Sequence, residues 1–290
     1  MSSAVPRPAW SEAFTPDVLT PLPGFPPLDK HGITREWAWG GSTGAGVKVA
    51  VIDSGIDADH PAIGGHISGY VSIRQDSDGL IMDSTPHRDQ FGHGTACAGI
   101  IRSLAPECEL FSVQVLGPTL TGSSAVFAAG VRWAIEHGMD VCNLSLGTSR
   151  REFFGVFHEL TDLAYFRRLP LVCAANNVAG ASYPSLYGVV LSVAAHDGTD
   201  PEQFYANPLP PVEFGAPGID IPVPWLDDSE ITVTGNSFAA PHITGHVARL
   251  LGKHPHLTVF EVKTILRALA DNAVPQSTDE QSITNTSDTR

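Results

Sequence analysis

The chain has 290 residues, of which 42% are hydrophobic and 17% are charged. This composition is typical of a folded globular protein whose core is large enough to need neither disulfides nor a structural metal. The net charge of −14 argues against nucleic acid or an anionic membrane as the partner, and no stretch approaches the ~20 apolar residues that a membrane span needs.

Two further features of the sequence point to an intracellular protein. Residues 1–10 lack the basic cluster and the apolar run of a secretory signal. The four cysteines form no CxxC pair, which argues against zinc and against a redox dithiol. Most of them lie in apolar runs, as reduced and buried thiols do; the four are Cys97, Cys108, Cys142 and Cys173. We therefore expect a cytoplasmic location.

The pattern along the chain separates one domain from two terminal segments. Residues 1–28 are rich in proline and have no periodicity, so we predict an extended arm there. Residues 276–290 are polar, and we predict that they are disordered. The part between these segments, residues 29–275, is predicted to form a single domain.

Within that domain, short apolar runs alternate with longer helical stretches. The runs are almost continuously apolar, as strands buried on both faces of a parallel sheet are; they cover residues 47–52, 110–116, 140–146, 169–175 and 189–195. The helical stretches cover residues 93–104, 123–137, 151–167, 237–251 and 259–270. Gly138 stands where the second helix is expected to end. Alternating β and α units predict an α/β fold, a three-layer sandwich with a mainly parallel central sheet.

Three polar residues stand at strand ends or helix starts, where α/β sheets bind their ligands. Asp53 ends a fully apolar strand, where an unpaired carboxylate is costly. His93 lies between two glycines at the start of a helix, where the backbone can approach closely. Ser237 opens an apolar helix, whose first N–H groups can face an anion. Each residue alone also has an ordinary structural explanation, as a turn cap, a structural histidine or a helix N-cap.

The three residues together carry a stronger signal. They occur in the order Asp, His, Ser, inside the segments DSGIDADHP, HGTACAG and GNSFAAPH. This order differs from that of chymotrypsin and of the α/β-hydrolases, and the segments resemble the motifs of the subtilase family, with a resemblance that covers residues 31–273. The resemblance implies that Asp53, His93 and Ser237 form a catalytic triad. It also implies that Asn177 and the backbone N–H of Ser237 hold the oxyanion.

The resemblance further implies where a substrate binds. The segment NLSLG resembles the strand with which the family pairs a peptide, and LVCAANN resembles the strand that ends at the oxyanion asparagine. The implied substrate-binding residues are Ser145, Leu146, Gly147, Ala174, Ala175, Asn176 and, at the base of the primary specificity pocket, Ser182. Asn236 stands where the family usually has threonine, and its amide is expected as a further oxyanion donor. The segment EFGAPG matches the turn after a later core strand.

The sequence lacks two features of the strong calcium site that is common in the family. The helix after His93 has no inserted loop, and Ala62 stands where the family has an aspartate. We therefore expect neither a metal nor another cofactor. Asp76, Asp78 and Asp83 leave two alternatives open, which are a weaker calcium site and solvated loop carboxylates.

As a function, the resemblance implies a serine endopeptidase that acts on peptides or proteins through an acyl-enzyme. The residues ahead of the domain are too few for the large prodomain of the family, so either a prodomain has been removed or the enzyme never had one. We expect an intracellular enzyme, and we expect it to be a monomer. Its role is open between general protein turnover and a dedicated step such as leader-peptide removal. The alternative is a non-catalytic module that binds peptides in the same cleft. Residues 1–28 have two interpretations, as an inhibitory segment across that cleft or as an arm elsewhere on the surface.

Overall fold

The computed structural model describes residues 32–209 and 211–273. The chain divides into a unit of residues 1–34 and a unit that begins at Arg35, and every helix and strand given below belongs to the second unit. The predicted arm, residues 1–28, and the predicted tail, residues 276–290, lie outside the described residues.

A sheet of nine strands forms the centre of the described part of the chain. The strands are β1 (Lys48–Asp53), β2 (Gly69–Asp76), β3 (Gly79–Asp83), β4 (Glu109–Gln114), β5 (Val141–Leu144), β6 (Leu171–Ala174), β7 (Leu191–His196), β8 (Tyr205–Ala206) and β9 (Phe214–Pro217). Their order in the sheet is β3-β2-β4-β1-β5-β6-β7-β9-β8. In this sheet order, every pair of adjacent strands between β2 and β9 is parallel. The outer strands β3 and β8 run antiparallel to their neighbours. Two further strands, β10 (Ile221–Pro224) and β11 (Glu230–Val233), form a separate antiparallel pair.

Helices cover both faces of this sheet. They are α1 (Arg35–Trp39), α2 (His93–Leu104), α3 (Ser124–Glu136), α4 (Phe154–Phe166), α5 (Asn236–Lys253) and α6 (Val259–Leu269), with a 3₁₀ turn at Arg151–Phe153 ahead of α4. Helices α2 and α5 pack together on one face. Helices α3 and α4 pack on the other face, where Phe127 and Phe157 join Ile52 and Leu144 in one apolar cluster of the core. The predicted three-layer α/β sandwich with a mainly parallel sheet is confirmed.

Helices α2 and α5 approach each other closely because a glycine lies where they meet. A Cβ on Gly245 of α5 would lie 2.8 Å from the Cβ of Leu104 in α2. Both helices begin at the same edge of the sheet, since α2 starts beside the last residue of β1 and α5 starts beside the end of β6. The fold thus brings two helix N-termini to the carboxyl ends of the central strands.

The strands and helices predicted from periodicity are all present, with boundaries that differ by a few residues. Gly138 follows α3 with φ +64°, as expected of a residue that ends a helix. The expectation that the segment EFGAPG forms a turn is wrong, because residues 214–217 form strand β9. Periodicity missed the elements that are short or half-exposed, which are α1, β2, β3, β8, β10 and β11.

Candidate active site

The Asp53 carboxylate and the His93 ring form a buried pair. Asp53 is the last residue of β1 and is fully buried, and His93 is the first residue of α2. His93 Nδ1 lies 2.8 Å from Oδ1 and 2.9 Å from Oδ2 of Asp53, so this nitrogen donates its hydrogen to the carboxylate. The charge at the end of an apolar strand thus has the partner that its burial requires. The other ring nitrogen, Nε2, is left to exchange a proton.

The pair alters the protonation of His93. Burial by itself lowers the pKa of the His93 imidazolium, but the adjacent Asp53 carboxylate raises it, and the net pKa lies above the ordinary value of 6.5. The Sγ of Cys97 lies 4.0 Å from His93 Nδ1. Burial raises the pKa of this thiol, so the thiol is uncharged near neutral pH. Asp53 is therefore the negative charge that acts on the ring.

Ser237 occupies the first turn of α5, which is tied to the end of β5. Its carbonyl receives no helical hydrogen bond from residue 241, because Pro241 has no N–H. The hydroxyl of Ser145 supplies the donor instead, at 2.7 Å from the Ser237 oxygen. Ser145 in turn accepts a hydrogen bond of 2.9 Å from the amide of Asn143 in β5. A buried chain of polar groups therefore fixes the position of Ser237 relative to the sheet.

Two side chains connect Ser237 with the His93 ring. The Sγ of Cys97 lies 3.6 Å from the carbonyl oxygen of Ser237 and 4.0 Å from His93 Nδ1. The ring of Phe238, the residue after Ser237, has its centroid 5.0 Å from that of His93. The structure thus brings the three predicted triad residues, Asp53, His93 and Ser237, into one site.

Asn177 lies on the exposed loop that follows β6. Its Oδ1 accepts a hydrogen bond of 2.9 Å from the backbone N–H of Asn236, which leaves the NH₂ group as the donor. A Cβ on Gly235 would lie 3.6 Å from Asn177 Nδ2 and 3.3 Å from Ser237 Oγ. The predicted oxyanion donor and the predicted nucleophile therefore border the same small space, which the glycine keeps open.

The side chain of Asn236 forms hydrogen bonds with backbone groups at the ends of β6 and β7. Its Nδ2 donates to the carbonyl oxygens of Ala175 at 3.2 Å and of Asn176 at 3.1 Å. Its Oδ1 accepts from the backbone N–H of Ala195 at 2.8 Å. Because both amide hydrogens are used, the expectation that Asn236 is a further oxyanion donor is wrong for this structure. The residue instead ties the start of α5 to the ends of β6 and β7.

Six of the predicted substrate-binding residues lie at the ends of two hydrogen-bonded strands, β5 and β6. The six are Ser145, Leu146, Gly147, Ala174, Ala175 and Asn176. Gly147 and Asn176 are exposed, so their backbones can meet a peptide from opposite sides. The hydroxyl of Ser145 points into the protein, which leaves only its backbone for a substrate.

The seventh predicted residue, Ser182, lies against Gly147. A Cβ on Gly147 would collide with the Ser182 hydroxyl. The two segments are held together next to this contact, because Thr148 and Tyr183 exchange backbone hydrogen bonds of 2.9 and 2.8 Å. Ser182 is buried and thus closes the space between the two segments.

Sequence reasoning missed the second wall of the cleft. A cavity of about 440 Å³ extends from His93 between residues 145–150 and the loop of residues 116–123. This loop follows β4, which is the neighbour of β1 in the sheet, so it emerges at the same edge as Asp53. The glycines in LGPTLTGSS were the available signal for a loop at that edge.

Among the described residues, one group of three potential metal ligands has its ligand atoms within 4.8 Å of one another, and it consists of Asp53, His93 and Cys97. The candidates for a weaker calcium site form no such group. The Oδ1 of Asp76 accepts from the backbone N–H groups of Asp78 and Gly79, and the Oδ1 of Asp83 accepts from that of Thr85. These carboxylates stabilise turns.

The fold and the site together define a class of protein, the serine hydrolases on an α/β scaffold. The model of the Subtilase family matches residues 44–283. The chain is 29% identical over 247 residues to Subtilisin DY of Bacillus licheniformis, covering 80% of this chain and 86% of that protein. It is 30% identical over 245 residues to Subtilisin of Bacillus pumilus, covering 79% and 86%. The chain belongs to the subtilase family of serine endopeptidases.

Solved structures agree with this assignment. A cold adapted subtilisin-like serine proteinase superposes with a TM-score of 0.64 at 25% identity, over 81% of this chain and 86% of that chain. A second structure, S41 psychrophilic protease, shares the fold with a TM-score of 0.66 at 24% identity, over 78% and 83%. The match to Subtilisin E of Bacillus subtilis (strain 168), at 30% identity and 79% of this chain, spans 62% of that relative's length. Within the described residues, no helix has both the length and the apolar character to cross a bilayer.

Proposed function

We propose that this endopeptidase cleaves peptide bonds with Ser237 as nucleophile, His93 as general base and Asp53 as the residue that orients His93. The observation that carries this proposal is the buried Asp53–His93 pair, whose two nitrogen–oxygen distances are 2.8 and 2.9 Å, beside a serine in the first turn of α5. The Nδ1–H of His93 is committed to Asp53, so Nε2 is the atom that accepts the proton of the Ser237 hydroxyl.

The reaction follows from these roles. Ser237 Oγ attacks the scissile carbonyl carbon and its proton passes to His93 Nε2, which forms an imidazolium beside Asp53. The carbon–nitrogen bond then breaks, the leaving amine takes the proton from His93, and the acyl group remains on Ser237. Water then attacks the carbonyl carbon of the acyl group and gives a proton to His93. The bond to Ser237 Oγ breaks, His93 returns the proton to that oxygen, and the carboxylic acid is released.

The negative charge that develops on the carbonyl oxygen needs donors already in place. We assign this role to Asn177 Nδ2 and to the backbone N–H of Ser237. The first N–H groups of a helix have no partner within the helix, and the positive end of the helix dipole favours an anion there. Losing an asparagine donor of this kind costs about 3 kcal/mol of transition-state stabilisation.

The substrate proposed for this site is an extended peptide. Residues 145–147 offer backbone groups at the end of β5 for pairing as an added strand, and the loop of residues 116–123 faces them across the cavity. Cleavage profiling on a diverse peptide library separates general turnover from a dedicated maturation step. Cleavage after many different residues supports turnover, whereas one narrow sequence preference supports the maturation step.

The assignment of Ser237 is tested by Ser237→Ala. Activity per folded molecule on a peptide anilide should fall by a factor on the order of 10⁶, because nothing replaces the nucleophile. Labelling by a fluorophosphonate, which needs an activated serine, should disappear. Ser103→Ala is the matched control, since Ser103 lies near the far end of α2 and donates to Ile100 within that helix. A variant without Ser237 that keeps its activity excludes this nucleophile, and a wild-type protein that binds peptides without being labelled is a binding module.

We also propose that the enzyme needs no calcium. In support, the acidic residues around β3 use their carboxylates in turns. A large, calcium-reversible fall of the melting temperature in chelator would contradict this proposal.

We further propose that the protein is a monomer in the cytoplasm. Support for the location comes from the four cysteines, all free and buried, which suit a reducing compartment. Sedimentation analysis tests the first point, and fractionation of the source cells tests the second. A dimer or a secreted product would overturn the respective proposal.

A further inference from the structure

A buried carboxylate outside the triad is hydrogen-bonded to residues next to Asp53 and next to His93. Asp89 stands in the loop ahead of α2 and is 7% exposed. It accepts five hydrogen bonds: its Oδ1 from Ser54 Oγ at 2.8 Å, Phe91 N at 2.9 Å and Gly92 N at 2.9 Å, and its Oδ2 from Thr95 N at 2.8 Å and Thr95 Oγ1 at 2.7 Å. None of these donors is charged, so peptide groups, hydroxyls and the N-terminal end of α2 hold the carboxylate.

The donors on one side of Asp89 belong to the chain just after β1. The Ser54 hydroxyl that donates to Asp89 also accepts a hydrogen bond of 3.1 Å from the backbone N–H of Gly94. The backbone N–H of Ser54 donates to Oδ1 of Asp53 at 2.8 Å. Ser54 therefore contacts the triad carboxylate, the Asp89 carboxylate and the first turn of α2 at once.

The donors on the other side of Asp89 belong to that first turn. Thr95 donates to Asp89 through both its backbone N–H and its hydroxyl, and the hydroxyl accepts from the backbone N–H of Asp57 at 2.9 Å. Thr95 lies two residues after His93. The Asp89 carboxylate thus links the segment that carries Asp53 to the helix turn that carries His93.

We propose that Asp89 is a positioning residue that sets the geometry of the Asp53–His93 pair. The inference rests on the proposed function of that pair. Without Asp89, two hydroxyls and three backbone N–H groups lose an acceptor in a buried place, and each such loss is costly. The loop after β1 and the start of α2 then relax independently, and the two groups that they carry separate or turn.

The alternative role for Asp89 is purely structural, as a cap for α2. A cap that is lost lowers stability and the fraction of folded enzyme but leaves each folded active site unchanged. The positioning role predicts a change within the folded active site. The experiment therefore counts active sites and measures the properties of His93 itself.

The first measurement is kinetic and uses Asp89→Asn. The replacement keeps the shape of the side chain but puts an NH₂ group where an oxygen met donors. With active sites counted by fluorophosphonate, kcat per site should fall by about tenfold to about a hundredfold, with KM changed little. Asp140→Asn is the matched control, since Asp140 accepts from Lys48 N at 2.8 Å at the opposite end of β1, and it should keep the wild-type kcat per site.

The second measurement needs no catalysis and uses the Ser237→Ala background. The pKa of His93 is followed by NMR, and Asp89→Asn should lower it toward 6.5, because a displaced Asp53 stabilises the imidazolium less. The charged and titratable groups in contact with the ring are Asp53 and Cys97. The control Asp140→Asn should leave the pKa in place.

The outcomes separate the inference from the proposed function. An unchanged pKa of His93 in Asp89→Asn overturns the positioning role, as does an unchanged kcat per site. If the wild-type protein is never labelled, the proposed function fails, but the NMR measurement still decides whether Asp89 positions His93. If Asp89→Asn does not fold, Ser54→Ala replaces it, because that variant removes the contact with the β1 segment and keeps the four donors of the helix start.

Discussion

Both members of the Asp53–His93 pair are buried, so the protonation of His93 depends on its neighbour instead of on solvent. The pKa of His93 in the folded protein lies above 6.5. A group with a raised pKa stabilises the fold fully below its unfolded pKa, and this contribution is lost as the pH rises through the folded pKa. The neutral ring that can accept the Ser237 proton appears over the same pH interval.

This protonation predicts the pH dependence of activity. kcat/KM for a peptide anilide should rise with pH along a limb whose midpoint lies above 6.5. In Asp53→Asn the midpoint should move down, because the charge that stabilises the imidazolium is gone while the burial that disfavours it remains. A wild-type midpoint at or below 6.5 would contradict the role assigned to Asp53.

The roles of some single residues could be predicted from the sequence, and those of others could not. Asp53, His93 and Ser237 were predictable because each stands in a distinctive segment at a strand end or helix start. The role of Asn236 was not, because an amide has two hydrogens and its direction depends on the carbonyls that surround it. Asp89 was visible in the segment DQFGHGT, but the sequence does not tell that its carboxylate meets donors from both Ser54 and Thr95.

The position of α2 relative to β1 depends on one residue without a side chain. A Cβ on Gly94, the second residue of α2, would collide with the carbonyl oxygen of Gly55 and lie 3.2 Å from the Cβ of Asp53. Helix and loop therefore touch through backbone atoms. Any side chain at residue 94 pushes the helix, and His93 with it, away from β1.

Gly94→Ala should therefore lower both stability and activity. We expect a loss of about 1–3 kcal/mol in the free energy of unfolding from overpacking and a larger proportional loss of kcat, because His93 moves away from Asp53. Gly155→Ala is the matched control: Gly155 is the second residue of α4, and a Cβ there meets no atom within 4 Å. The control should be neutral or slightly stabilising. Equal effects of the two substitutions would show that the close contact is unimportant.

Elements were predictable to the extent that they are buried on both faces. The central strands read as apolar runs because helices cover them on either side. Strand β3 escaped prediction because it is the outer strand of its edge and Leu80, Ile81 and Met82 are all more than 40% exposed. Strand β9 escaped because Gly215 and Pro217 alternate with Phe214 and Ala216, a pattern that is more typical of turns.

A cluster around His246 of α5 joins three parts of the chain that are far apart in sequence. The ring lies between Trp39 of α1 and Phe204, with centroid distances of 5.2 and 5.0 Å. Its Nδ1 lies 2.9 Å from a guanidinium nitrogen of Arg249, which also forms two hydrogen bonds of 2.7 Å with Glu202. Because His246 accepts from a cation, it must be neutral in the folded protein.

Burial and the adjacent Arg249 charge hold the pKa of His246 well below 6.5. Burial likewise lowers the pKa of His242 to about 4 and lowers that of His87. Below pH 6.5 these histidines bind protons in the unfolded chain, whereas in the folded protein they stay neutral to lower pH. The contribution of these residues to stability is therefore lost as the pH falls below 6.5, with a slope of up to about 1.4 kcal/mol per pH unit for each of the buried rings of His242 and His246.

The contribution of His246 can be isolated with His246→Asn in the Ser237→Ala background, where self-digestion does not interfere. The asparagine oxygen still accepts from Arg249 but cannot take up a proton in this pH range. Urea unfolding from neutral pH down to about pH 5 should show that the variant loses less stability than its parent over that interval, even though its smaller side chain makes it less stable at every pH. The comparison uses the slope, so a constant loss from imperfect packing cancels. If the two proteins lose stability in parallel as the pH falls, the ring of His246 is not the group that makes the fold sensitive to acid.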